Sequence, residues 1–329
     1  MKNWLKIIGS LLLSAFILYW IYRDFPFDTI GPTLAGGIGW GWIALVVVLG
    51  IAAQVFRALR WHEALSSIGE PCRRSTLLYS VFISFAASLL IPRIGELSRC
   101  ATVRKKDGVA FTRSFGCVVS ERVVDSVFLF TLAAITLLCE RDRFMSFLAT
   151  AGFDLTRFLP KSTDGDWRVY LPVLVAIIAV VALGGISRLL RRNGAVQRVL
   201  TNFRDGLLSV RHLQHPWRYI LYSALICVSN LFNFWLAFYA FPITEHLGAG
   251  AGLLAFSMIA VAFIVPTPHG AGPWHFAVKT ALIVFGISAT DAALFALLVH
   301  TVQVTTIALL GIFGLFMIRK IKTKESLDV

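Results

Sequence analysis

The chain has 329 residues, of which 57% are hydrophobic and only 15% charged, and its mean hydropathy is +0.75. Soluble domains carry about 45–50% apolar and about 25% charged residues, so this composition excludes a soluble globular protein and defines an integral membrane protein. The formal net charge is +13. The basic residues sit at the ends of apolar runs and in short loops, so membrane orientation and contact with an anionic lipid surface explain them, and no nucleic acid is expected as a partner.

The first apolar run, Ile7–Tyr22, follows Lys2 and Lys6. A signal peptide is the alternative reading. However, Tyr22-Arg23-Asp24-Phe25-Pro26 stands where a small-residue cleavage site would, and the run exceeds the usual apolar region of about 7–15 residues. A retained helix over 5–23 is expected, running outward from a cytoplasmic N-terminus. A second helix, 38–58, returns to Arg57, Arg60, Arg73 and Arg74; its end, Arg57-Ala58-Leu59-Arg60-Trp61-His62, reads as an interface anchor or as part of a substrate site. The next apolar segment, 75–91, breaks at Ile91-Pro92-Arg93-Ile94-Gly95-Glu96. If it crossed, Arg99, Arg104, Lys105, Lys106 and Arg113 would lie outside, against the positive-inside bias. The charge pattern therefore predicts a re-entrant hairpin that enters to Pro92 and leaves on the side it came from.

A third helix, 110–139, leads into an extracytoplasmic loop of mixed charge, 140–168. A fourth, 169–190, returns to a basic cytoplasmic stretch, 188–218. There Val196, Val199, Leu200, Phe203, Leu207 and Val210 recur at helical spacing among arginines, as in an amphipathic helix lying in the headgroup layer. A fifth helix, 217–241, crosses outward. The segment 249–265 then enters, breaks at Val265-Pro266-Thr267-Pro268-His269-Gly270-Ala271-Gly272 and returns as 273–287. The last helix, 290–318, ends at Arg319, Lys320, Lys322 and Lys324. This threading puts most of the 31 lysines and arginines on the cytoplasmic side.

The order helix, helix, hairpin, helix thus occurs twice, over about 1–140 and, inverted, over about 169–320. The expected fold is one all-α polytopic membrane domain over 1–329, with six full spans plus two re-entrant hairpins, both termini cytoplasmic, in the cell inner membrane. The alternative is eight simple spans, two of them kinked at proline. In hydrocarbon every backbone N–H and C=O needs a partner, so a broken helix is tolerated only where protein or a water-filled cavity covers it. Two equivalent breaks in the two halves of a transporter mark its substrate site.

Charged side chains inside spans cost at least about 2.5–3.5 kcal/mol at the bilayer centre and are functional candidates. The third helix carries Glu121, Arg122 and Asp125. Arg122 is spaced to offset one acid, leaving the remaining charge to a cavity, or the three form a structural ion pair. The first break adds Arg93, Gly95, Glu96 and Arg99. Arginine's planar fork suits phosphate, and a helix restarting after Pro92 offers its amides to an anion; Arg93 paired with Glu121 or Asp125 is the simpler reading. In the second break, Pro266, Pro268, Gly270 and Gly272 allow close backbone approach to a ligand. His269 and His275 stand six apart across it, poor spacing for a metal, and no metal or other cofactor is expected. The five cysteines form no CxxC and are read as free thiols. No nucleotide-binding loop, GxSxG or HExxH motif is present, so no catalytic constellation is expected.

Four motifs in order carry a resemblance: Arg57-x-x-Arg60-Trp61, Pro92-x-x-Gly95-Glu96-x-x-Arg99, Glu121-Arg122-x-x-Asp125 and Pro266-x-Pro268-x-Gly270-x-Gly272. Together they resemble the lysylphosphatidylglycerol synthase transmembrane-region family of flippase-like membrane proteins, over nearly the whole chain. The resemblance implies a lipid or lipid-linked substrate, such as a membrane phospholipid or a polyprenyl-linked lipid. Its charged headgroup would pass a central polar cavity built by the motif residues. The bifunctional relatives' soluble aminoacyltransferase domain is not expected. One departure is Pro273-Trp274-His275 after the second glycine motif, where relatives often carry an acid. The alternative function is a membrane enzyme or accessory subunit in lipid headgroup modification, with a partner enzyme of unknown identity.

Overall fold

The computed structural model describes residues 2–92, 94–150, 194–263 and 265–323. Arg93 and the expected fourth helix, 169–190, lie outside the described residues. The described elements are helices: α1 (Lys2–Tyr22), α2 (Ile30–Ala35), α3 (Trp40–Ser67), α4 (Arg74–Leu90), α5 (Ile94–Asp107), α6 (Phe111–Cys139), α7 (Arg141–Thr150), α8 (Gly194–Leu207), α9 (Pro216–Trp235, continued by a 3-10 turn to Ala240), α10 (Ala249–Ala262), α11 (Pro273–Val284) and α12 (Ala289–Lys320). Among them α3, α9 with its 3-10 extension, and α12 are long and apolar enough to span a bilayer. A bent pair, α6 with α7, makes a fourth candidate. Phe16, Trp20, Val48, Phe130, Ile220 and Phe316 stand exposed on helix surfaces, as expected where lipid is the solvent.

Both proline breaks fold back as helix hairpins. α4 stops because Pro92 disfavours helical backbone at the residue before it, and Ile91 is extended (φ −133°, ψ 123°). α5 then runs back along α4, and the two pack at the closest range a glycine allows: a Cβ at Gly95 would overlap the Ser84 carbonyl and the Ser88 hydroxyl. The two open ends of this hairpin meet, because Arg73 Nε donates to Asp107 Oδ1 at 2.6 Å. The end of α12 joins them, through Arg73 to the Lys322 carbonyl (2.8 Å) and Lys106 to the Ile321 carbonyl (2.7 Å). Arg113, at the start of α6, pairs nearby with Glu70 at 2.8 Å.

The second hairpin, α10 with α11, opens at the other end of α6. A Cβ at Gly250 would strike the Glu140 carboxylate, and Arg143 stacks over Phe285 at 4.3 Å. The two hairpins therefore open toward opposite ends of one helix about 43 Å long. The tip of the second is extreme backbone: φ is +46° at His269, +74° at Gly270 and +94° at Gly272. Glycine bears this freely; a histidine there is strained. Pro273 then starts α11 at the one helical position where its missing N–H costs nothing. α1 covers this tip: Ser14 Oγ donates to the Ala271 carbonyl (2.9 Å), and Ile17 lies where a Gly272 Cβ would point. The first apolar segment is thus built into the packed fold.

Three expectations are corrected. Helix 38–58 extends to Ser67, so Arg57, Arg60 and Trp61 sit inside a helix and are buried, not anchored at an interface. The loop after α6 begins with a further helix, α7. In the basic stretch, α8 docks on α6, with Gly206 crossing Gly116 so tightly that a Cβ on either would overlap backbone, and Phe203 lies 6.2 Å from Phe115. Part of its apolar face thus meets protein, not the headgroup layer. All five cysteines are free.

Single cysteines placed over residues 66–74 and 101–108 are expected to label from the same side of the membrane, the cytoplasmic one. Labelling of 101–108 from the opposite side would exclude a re-entrant first hairpin. Gly95→Val is expected to destabilise the protein by about 1–3 kcal/mol through overpacking against α4, read as a lower unfolding midpoint in detergent.

Candidate functional site

A cavity of about 690 Å³ lies among α3, α4, α6, α9, α10 and α12, and both helix breaks open onto it. Pro92, Glu96 and Arg99 line it from the first; Pro266, Thr267, His269 and Gly270 from the second. The tips meet across it, since α4 touches the turn Pro268–Gly270. Of the residues singled out in the sequence, Glu96, Arg99, Arg122, Asp125, Pro266 and Gly270 reach the wall. Gly95, Pro268 and Gly272 shape the backbone behind it. Arg93 is outside the described residues.

One end of the cavity rests on a lattice of arginines and carboxylates. Glu121 is fully buried and accepts from Arg99 Nη2 at 2.8 Å, with Arg60 Nε at 3.8 Å. Arg60 Nη1 reaches Asp125 Oδ1 at 2.5 Å and donates to Ser223 Oγ at 3.2 Å. Arg122 contacts Glu96 at 3.2 Å and Asp125 at 3.5 Å. Aromatic faces complete the cage, with Trp61 4.6 Å below the Arg99 guanidinium and Tyr219 5.7 Å from that of Arg60. On α6 the expected Arg122–Asp125 pairing is present, but it does not neutralise the buried acid. The internal acid is Glu121, neutralised by Arg99 and Arg60 from two other helices, and the exposed charge is Arg122, whose side chain is 44% accessible.

Arg57 differs from its neighbours. It is 9% exposed, lines the cavity and lies 4.7 Å from the Phe85 ring, yet no carboxylate among the described residues pairs with it and its Nε has no partner. Farther along the same wall stand the amides Gln54, Asn230, Asn233 and Gln303. Asn233 donates to the Val46 carbonyl and accepts from Gln303 Nε2 at 3.3 Å. Near the second tip, His300 brings three imidazoles together, with ring centroids 4.4 Å from His275 and 6.0 Å from His269. Among the described residues no group of three His, Cys, Asp or Glu is placed to hold a metal.

The sequence reading offered Arg60, within the segment 57–62, as an interface anchor or part of a substrate site, and did not single out Gln54, Asn230, Asn233, Gln303 or His300. The signal was there: each is a polar residue within or beside a long apolar run. Amides and imidazoles escape a count of formal charge.

The chain belongs to the lysylphosphatidylglycerol synthase TM region family, which matches residues 7–311. A curated relative is glycosyltransferase AglD of Haloferax volcanii, 25% identical over 206 residues, which cover 58% of this chain and 31% of that protein. The chain thus spans about a third of the length of this relative. No solved structure matches it. It is a multi-pass membrane protein of a family defined by a lipid-modifying enzyme's membrane region.

Arg99→Met strands Glu121 in the interior and is expected to cost about 3–5 kcal/mol, whereas the double change Arg99→Met with Glu121→Leu removes both charges and is expected to recover most of that loss. Unfolding midpoints of the purified variants check this. A double variant no more stable than the single one would contradict the pairing.

Proposed function

We propose that this protein binds an amphipathic lipid or lipid-linked substrate by an anionic headgroup and moves that headgroup across the cell inner membrane while the tails stay in the bilayer. The observation that carries the reading is the meeting of two oppositely opening helix breaks on one cavity whose largely apolar wall carries charged and amide side chains, the arrangement used by transporters whose halves are inverted repeats. The finer architecture belongs to the same proposal: a single domain of two inverted units, six full spans and two re-entrant hairpins, with both termini cytoplasmic. In this reading Arg93, Glu96, Arg99, Arg122 and Asp125 receive the headgroup. Glu121 sets the charge beneath them, and Pro266, Pro268, Gly270 and Gly272 form the opposite gate. The anionic lipid surface attracts the basic end, where Arg73, Lys106 and the end of α12 converge.

The second reading is a membrane enzyme or accessory subunit in lipid headgroup modification. It is supported by the names: the family is the TM region of a synthase, and the curated relative is a glycosyltransferase. The described residues offer ion pairs where such a reaction would need a free nucleophile and base.

Reconstitution separates the two. With a membrane-impermeant quencher outside, vesicles carrying the protein and a fluorescent phosphatidylglycerol are expected to lose their protected inner-leaflet fluorescence faster than protein-free vesicles. Arg122→Gln, which removes a half-exposed charge at little cost in stability, is expected to slow this about tenfold or more. No acceleration by the wild-type protein would end the transport reading. A changed lipid mass in the same vesicles would establish the enzymatic one.

A further inference from the structure

Two imidazoles lie buried against each other behind the second break. His275 on α11 is 3% exposed, His300 on α12 is 8% exposed, and their ring centroids are 4.4 Å apart. Neither belongs to the arginine–carboxylate lattice. Two features set them apart from core histidines. His275 Nδ1 accepts from the Gly272 amide at 3.4 Å, so this ring caps the start of α11. His300 Nε2 is buried with no partner, and buried polar atoms are almost always satisfied. The cap works only for a neutral ring. A nitrogen that accepts a hydrogen bond carries no proton, whereas an imidazolium donates at both nitrogens. A proton at His275 Nδ1 would set two donors, the ring and the Gly272 amide, against each other. The backbone that this cap holds is already strained, with φ +46° at His269.

The described neighbours offer such a proton no counter-charge. On α11 the next titratable group is Lys279, one turn on and itself a cation. In the turn before α11, His269 stands 6.0 Å from His300. α1 brings Tyr22, whose ring meets His275 edge-on at 5.7 Å and whose hydroxyl is spent on the Ala293 carbonyl. Arg23 and Asp24 beyond it pair with each other at 2.9 Å. α10 carries no titratable residue, and α4 presents Ser84 and Ser88 to the cavity. α7 carries Arg141, Asp142 and Arg143, with Glu140 before it, but Arg143 stacks on Phe285, ten residues beyond His275 and about 15 Å along the chain at helical rise. Across the cavity, Glu96 is committed to Arg122, and Asp125 to Arg60 and Arg122.

We propose that His275 and His300 form a proton-binding site that works the second break: the closed tip is held by the His275 cap and is proton-free, and a proton taken from water by an imidazole releases the cap and opens the tip. An opened tip wets the rings, which then titrate near the ordinary histidine value of about 6.5. A group that binds a proton only in the open state favours that state as the pH falls. The closed tip is therefore fully favoured above about pH 6.5 and loses up to about tenfold per pH unit below it for each proton bound. Rings 4.4 Å apart repel when both are charged, so the pair takes up a single proton. The site is independent of what the cavity carries, and it stands whether the cavity transports, binds or modifies its occupant.

The test is amide hydrogen exchange of the full chain in detergent, with labelling times scaled to the intrinsic exchange rate at each pH. Peptides over residues 266–280 report the tip, and peptides of α3 over 40–52 serve as the control. Lowering the pH from about 8 to about 5.5 is expected to speed tip exchange about tenfold, the effect of one proton bound in the open state alone, and to leave α3 unchanged. His275→Asn puts a neutral oxygen acceptor where Nδ1 stands, and its tip is expected to stay closed at both pH values. His275→Phe keeps a ring but removes the acceptor, and its tip is expected to exchange fast at both. His300→Gln leaves the cap in place and is expected to weaken the response. Equal wild-type exchange at the two pH values, or α3 speeding up together with the tip, would overturn the site. A full response in His275→Asn would overturn the cap's part in it, and a full response in His300→Gln would remove His300 from it. The wild-type comparison needs no variant, so it decides even where a variant fails to fold.

Discussion

The buried pair of Glu121 with Arg99 and Arg60 is the constraint on which the first half of the molecule depends. An ion taken out of water costs several kcal/mol even after the protein relaxes, and only close, multiple pairing repays it. Glu121 is wholly enclosed, so α3, α5 and α6 must each hold a charged side chain within reach of one point. That requirement fixes where the first hairpin returns, because Arg99 belongs to α5 and cannot leave Glu121 without stranding it. It also fixes the floor of the cavity, since Arg122, the next residue, and Asp125, one turn on, extend the lattice to the wall. The pairing is a weak source of net stability and a strong source of position.

The breaks impose the second constraint, on backbone groups instead of charges. Each interrupts a helix whose N–H and C=O groups would otherwise satisfy one another, and each is covered differently. At the first, Gly95 lets α5 lie directly on α4. At the second, Ser14 of α1 donates to the freed Ala271 carbonyl, and the His275 ring accepts from the Gly272 amide at 3.4 Å. The N-terminal helix is therefore a structural lid on the second tip, and Tyr22 strengthens it by donating to the Ala293 carbonyl at 3.2 Å.

Much of this was legible before any coordinates. Proline placed both breaks, and the distribution of arginine and lysine predicted that residues 73 and 107 would share an end, as the Arg73–Asp107 contact does. Glu96, Arg99, Glu121, Arg122 and Asp125 announced themselves as charges in apolar surroundings. What sequence could not assign was partnership. Spacing along α6 pairs Arg122 with Asp125, and the two do meet at 3.5 Å, but it says nothing of Glu121. The fully buried acid is instead neutralised by α3 and α5, which lie 61 and 22 residues away and are brought near only by packing. The extent of α3 was also misread, because Arg57 and Arg60 look like the end of a span when counted as charges. They lie inside one because they have partners or, for Arg57, a cavity.

The two tips differ in chemistry. The first is charged and rests on the arginine–carboxylate lattice. The second carries no acid and instead gathers His269, His275 and His300 beside Trp274, with His300 Nε2 left unpartnered. The charge of the first tip depends on Glu121 and its two arginines, whereas the second tip offers neutral donors and acceptors, one of them a histidine in strained left-handed backbone. The difference between the tips is therefore one of charge, and it is set by the lattice around Glu121, not by the shape of the breaks.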